Sequence, residues 1–84
     1  MDVNPDAVES AADALLGYVN AQRQGRCEWL PLFQSVSRVV NATYADGNMT
    51  LKVQLDSAVF ATRMTDQGNS IWAVGAEVIP DPCG

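Results

Sequence analysis

Apolar residues fall at Val8, Ala11, Ala12, Leu15 and Val19, with Leu16 widening the stripe. This i, i+3, i+4, i+7 spacing lines one side of an α-helix. Asn4 stands where a capping side chain is wanted, and Pro5 suits the first helical position. Asp6 and Glu9 favour the positive end of the helix dipole. Arg23 falls in the last turn and Gly25 is a natural C-terminal cap, so the pattern predicts a helix over residues 5–24. At about 1.5 Å per residue it would run about 30 Å and needs a sheet to cover its stripe.

Residues 26–32 read as a connector, with Trp29 expected to be buried and to close one end of the core, an exposed binding Trp being the functional alternative. Phe33 to Ala45 reads as a strand, rich in Val36, Val39, Val40 and Thr43, with imperfect alternation that predicts a bulge or a bend. Asp46-Gly47-Asn48 is a turn signal. Met49, Leu51, Val53 and Leu55 then alternate with Thr50, Lys52, Gln54 and Asp56, the pattern of a half-buried antiparallel strand. The phase changes around Asp56-Ser57, after which Ala58, Phe60 and Met64 continue on the other parity. Thr65 to Asn69 reads as a second turn. Ile71 to Ile79 reads as a last strand, with Trp72, Val74, Ala76 and Val78 on one face and Glu77 on the other. Pro80 and Pro82 end it. The expectation is one α+β domain over residues 1–84, a long N-terminal helix packed on an antiparallel meander of three or four strands.

The charge narrows the partners. Five Lys and Arg against ten Asp and Glu give a net charge of −5. Phosphate backbones are bound through clustered cations, so nucleic acid is not expected, nor is an anionic membrane surface. The longest apolar stretches are too short to span a bilayer. The first residues, Met1 to Asp6, have neither the basic region nor the apolar core of a signal peptide.

Cys27 and Cys83 match no zinc or redox spacing. In a secreted domain of this size they would form one disulfide, tying the end of the helix to the C-terminus. Two free thiols in a cytosolic protein is the other reading. The sequons Asn41-Ala42-Thr43 and Asn48-Met49-Thr50 point to the secretory compartment, with glycans at Asn41 and Asn48. Asn41, in a strand, would have to face solvent.

Catalysis has little material. The chain has no His, so no Ser–His or Cys–His nucleophile pair can form. Turn aspartates such as Asp56 and Asp66 are usually solvated. Asp46-Gly47-Asn48 lacks the later ligands of a calcium loop and reads as a plain turn. No enzyme activity, metal or cofactor is expected.

The order of elements, and several short stretches, resemble the cystatin superfamily. Ala11-Ala12-Asp13-Ala14-Leu15-Leu16-Gly17-Tyr18-Val19-Asn20 resembles the helix of that family. Val39-Val40 and Leu51-Lys52-Val53-Gln54-Leu55 resemble the strands flanking its first loop, and Ile71-Trp72-Ala73-Val74 resembles its Ile-Tyr-Ala-Val stretch. Inhibitory cystatins block papain-like cysteine proteases with a Gly-bearing N-terminal segment, a Gln-x-Val-x-Gly loop and a Pro-Trp loop. This chain departs at all three places. No Gly precedes the helix, the first tip reads Tyr44-Ala45-Asp46-Gly47-Asn48, and the second, Thr65 to Asn69, has no Pro-Trp. Gln34-Ser35-Val36-Ser37-Arg38 has Gln and Val at the right spacing but ends in Arg, well before the turn.

The resemblance therefore implies the fold and not the inhibitory residues. It implies a secreted, non-catalytic module that binds a protein or assembles with itself. Its contacts would come from Ala45, Asp46, Gly47 and Asn48 at one tip and Asp66, Gln67, Gly68 and Asn69 at the other, with Trp72 beside them. The last strand, largely apolar on both faces, is, if it lies at the sheet edge, a further template for self-association by strand pairing or exchange. A divergent inhibitor of papain-like proteases using the altered tips is the second reading, and a cytosolic α+β domain unrelated to cystatins is the third.

Overall fold

The computed structural model describes residues 3–83, apart from the side chain of Ala76. Met1 and Asp2, where the reading of the N-terminus begins, lie outside the described residues. One helix, α1 (Pro5–Arg26), is followed by four strands, β1 (Arg38–Ala45), β2 (Asn48–Leu55), β3 (Ala58–Asp66) and β4 (Trp72–Ile79). The strands pair in chain order as an antiparallel meander, β1-β2-β3-β4, with α1 across one face. This is the expected α+β architecture.

The helix starts as its sequence dictates. Asn4 Oδ1 accepts from the Asp6 N–H at 2.9 Å, satisfying one of the orphan donors of the first turn. Ala11, Ala12, Leu15 and Val19 are buried along one stripe. They meet Met49, Leu51, Val53 and Leu55 of β2, all fully buried, together with Phe60 and Met64 of β3. The clean alternation in β2 follows from its place as an inner strand with α1 on one side and solvent on the other.

The helix runs two residues past the expected end. Gly25 lies within it and Cys27 is the C-terminal cap, its N–H donating to the Arg23 carbonyl at 2.8 Å. The disulfide holds that last turn, so no left-handed glycine is needed to stop it. Cys27 and Cys83 are bonded, with Cα atoms 5.8 Å apart.

Strand β1 begins five residues later than expected, at Arg38 rather than Phe33. The cause is Asn20, whose side-chain amide donates to the Phe33 carbonyl at 2.8 Å and accepts from the Phe33 N–H at 2.9 Å. With its backbone satisfied by the helix, Phe33 cannot join a ladder. Its ring enters the core edge-on to Phe60, centroids 5.8 Å apart, and the Arg23 guanidinium covers the ring at 4.1 Å. Phe33 thus closes the end of the core assigned to Trp29, which is 76% exposed. The expected bulge in β1 is present, between Val39 and Asn41.

The last strand begins at Trp72, and Ile71 is exposed. Trp72 and Val78 are buried and Val74 is half-buried; the side chain of Ala76, expected on their face, lies outside the described residues. Glu77, on the opposite face, is exposed. Between the pairs Thr62↔Val78 and Met64↔Val74, β4 carries extra residues opposite Arg63. Gly75 lies in that bulge, where an added Cβ would stand 2.5 Å from the Arg63 carbonyl oxygen. The absence of a side chain is what lets the two backbones approach.

Candidate functional site

A four-strand meander sends its first and third turns to one end of the sheet and its second to the other. The first turn is a two-residue hairpin, with Asp46 at φ 53° and Gly47 at φ 79°, the left-handed pair that matches strand twist. The third runs from Gln67 to Ile71 and closes on two backbone bonds, Gln67 N–H to the Ile71 carbonyl and Ile71 N–H to the Gly68 carbonyl. Gly68, Asn69 and Ser70 all have positive φ. For Asn69 and Ser70 that conformation carries a steric cost, held in place by the surrounding bonds.

The two tips are joined. Asp66 N–H donates to the Gly47 carbonyl at 2.8 Å. Thr65 Oγ1 and Asn48 Oδ1 lie 3.2 Å apart, with the hydroxyl donating. Tyr44 O–H donates to Asp66 Oδ2 at 3.0 Å, and Asp66 Oδ1 accepts from the Gly68 N–H at 2.8 Å. One carboxylate thus fixes the second tip and ties it to the strand that leads into the first. The hydrogen bond to Asp66, then burial and the carboxylate charge, push the Tyr44 phenol above its usual pKa.

The start of α1 arrives at the same end. Ser10 Oγ donates to the Ser70 carbonyl at 2.9 Å. A depression of about 220 Å³ separates the helix N-terminus from the second tip, lined by Asn4, Asp6 and Ala7 on one side and by Asp66, Ser70 and Trp72 on the other. A shallower surface continues it along the helix past Glu9 and Asp13. Carboxylates dominate this end, and no Lys or Arg lines either surface among the described residues.

The expected site residues therefore come together, with one exception. Ala45, Asp46, Gln67, Gly68 and Asn69 are exposed, and Gly47 and Asn48 are partly so. Trp72 offers little contact surface beyond its edge in the depression: it is 9% exposed and packs edge-on to Tyr44, centroids 6.3 Å apart. Its register opposite Asp66 turns it toward α1. Ile71 takes its place at the surface, 55% exposed. The parity of the last strand carried that signal, since Ile71 precedes the buried series. The approach of the helix start to the second tip had no signal in the sequence.

No family model matches the chain, and neither the curated proteins nor the solved structures contain a match.

Proposed function

We propose that this is a secreted, non-catalytic, cystatin-like module that binds a protein partner through the end where the two tips and the start of α1 converge. The observation that carries the reading is that convergence. Three segments far apart in sequence form one exposed rim, braced by Asp66 and Ser70. A braced rim loses little conformational entropy on binding. Its chemistry selects the partner class: the carboxylates of Asp6, Asp46 and Asp66 favour a protein surface with basic residues around a cleft.

The bonded Cys27–Cys83 pair supports an oxidising compartment. Among the described residues no helix is long and apolar enough to cross a membrane. Of the two sequons, Asn41 is exposed on β1 and suits a glycan, whereas the Asn48 amide already donates to Asp46 and accepts from Thr65.

The same geometry favours a second reading, a divergent inhibitor of papain-like cysteine proteases, because such inhibitors also present an N-terminal segment and two loops side by side. The experiment is a titration of papain and one cathepsin-type protease with the oxidised protein, alongside an Ile71→Asp, Gln67→Lys variant. Stoichiometric inhibition lost in the variant makes protease binding the function. No inhibition at micromolar protein removes that reading and leaves a partner other than a papain-like cysteine protease. Inhibition unchanged in the variant would place the contacts elsewhere and defeat the assignment of the tips.

A further inference from the structure

Two features away from the tips lack a partner among the described residues. One is Trp29. Leu30 N–H donates to the Cys27 carbonyl at 2.9 Å, which closes a turn with Glu28 and Trp29 at its centre. The turn is pinned at Cys27 by the disulfide, and beyond it Arg23 Nη1 donates to the Pro31 carbonyl at 2.6 Å. An indole that is 76% exposed on so fixed a base is an anchor already ordered for binding.

The other feature is a groove of about 540 Å³ between the first half of α1 and the approach to β1. Its apolar walls are Val8 and Ala12 from the helix and Val36 and Val39 from the chain beside it. Glu9 and Asp13 stand on one rim and Arg38 on the other.

We infer that the groove receives Trp29 from a second copy of this chain. The same copy cannot supply it: the groove ends near Asp13, and fourteen helical steps lead from that point to Cys27, about 21 Å at 1.5 Å per step. The chemistry of knob and groove is complementary. The indole N–H is a donor that needs an acceptor once buried, and Glu9 and Asp13 are acceptors. Glu28 precedes Trp29, and Arg38 has no carboxylate partner among the described residues. Each copy presents one knob and one groove, so two copies can exchange knobs as a closed two-fold dimer or link head-to-tail into a ring or a filament. It uses neither tip, and so does not depend on the reading given above.

Sedimentation equilibrium over a wide concentration range tests this, with tryptophan emission as a second readout. The expected result is a mass that rises with concentration, with an emission shift to the blue as Trp29 enters the groove. Trp29→Ala, and separately Val39→Arg, should each weaken association by about tenfold or more. An equimolar mixture of those two variants should form a dimer and stop, because one retains only the groove and the other only the knob. Glu28→Arg should weaken association and Glu28→Arg with Arg38→Glu should recover it. A wild-type chain that stays monomeric throughout, or a Trp29→Ala variant that assembles like wild type, overturns the inference. Trp29 and Val39 are both at the surface, so circular dichroism of the variants should match wild type.

Discussion

Tyr44 and Asp66 are twenty-two residues apart and share one hydrogen bond, 3.0 Å from phenol to carboxylate, that joins the strand entering the first tip to the residue that opens the second. The bond needs the phenol protonated. Its pKa is therefore raised above 10.0, and the sign of the linkage follows. The contribution is complete below pH 10.0 and is lost as pH rises through the raised value. In an absorbance titration of the tyrosinate band, Tyr44→Phe should remove the later component. Asp66→Asn should bring that component to lower pH, and an unchanged profile in Asp66→Asn would show that the carboxylate does not hold the phenol.

A second prediction concerns the bulge of β4. A methyl group at Gly75 would lie 2.5 Å from the Arg63 carbonyl oxygen, which is backbone and cannot swing away. Gly75→Ala should destabilise the fold by about 1–3 kcal/mol, the range for forced overpacking. Gly17, with nothing near its Cβ position and a place inside α1, is the control. Gly17→Ala should stabilise by about 0.5–1 kcal/mol. Urea unfolding of the pair separates local crowding from general intolerance of the new methyl.

The disulfide gives a third. It closes a loop spanning 56 residues, and the chain-entropy model assigns such a link about 4 kcal/mol. For a domain this small that is a large share of the total. The Cys27→Ala, Cys83→Ala variant should unfold at markedly lower urea, with the helix end and the connector losing amide protection first. Equal stability of oxidised and double-variant protein would show that the Arg23 and Asn20 contacts hold that end unaided.

These outcomes bear on what a sequence can reveal. Strand β2 was legible because its neighbours force a two-residue period. The pairing of the first and third turns follows from meander parity once four strands are recognised. Trp29 in the connector and Phe33 at the start of the expected strand were not separable as the aromatic that closes the core, since neither sits in a periodic stretch. Asn20 decided between them through two bonds to a backbone thirteen residues away. The two-residue extension of α1 had the same kind of cause, the Cys27 bond to a residue at the far end of the chain. Trp72 was placed beside the tips as a contact residue and is interior by register, opposite Asp66. Local pattern thus carried the elements, and long-range bonds set their ends.

The last prediction follows from the C-terminal tie. Asp81 Oδ1 accepts from the Cys83 N–H at 2.8 Å, and Asp81 Oδ2 meets Arg26 Nη2 at 3.2 Å. The backbone bond first, and the guanidinium second, hold the carboxyl below its ordinary value of 3.8. A lowered pKa means that the stabilising contribution is present above pH 3.8 and is lost as pH falls through the depressed value. Asp81→Asn should therefore unfold at a lower temperature than wild type at neutral pH, and the difference should shrink as pH falls below 3.8 and through the depressed value. Arg26→Gln should reproduce only part of the gap, because the backbone bond survives it. A gap that persists unchanged in acid would mean that the asparagine acts through packing rather than charge, and that the carboxylate does not hold the segment that carries Cys83 to Cys27.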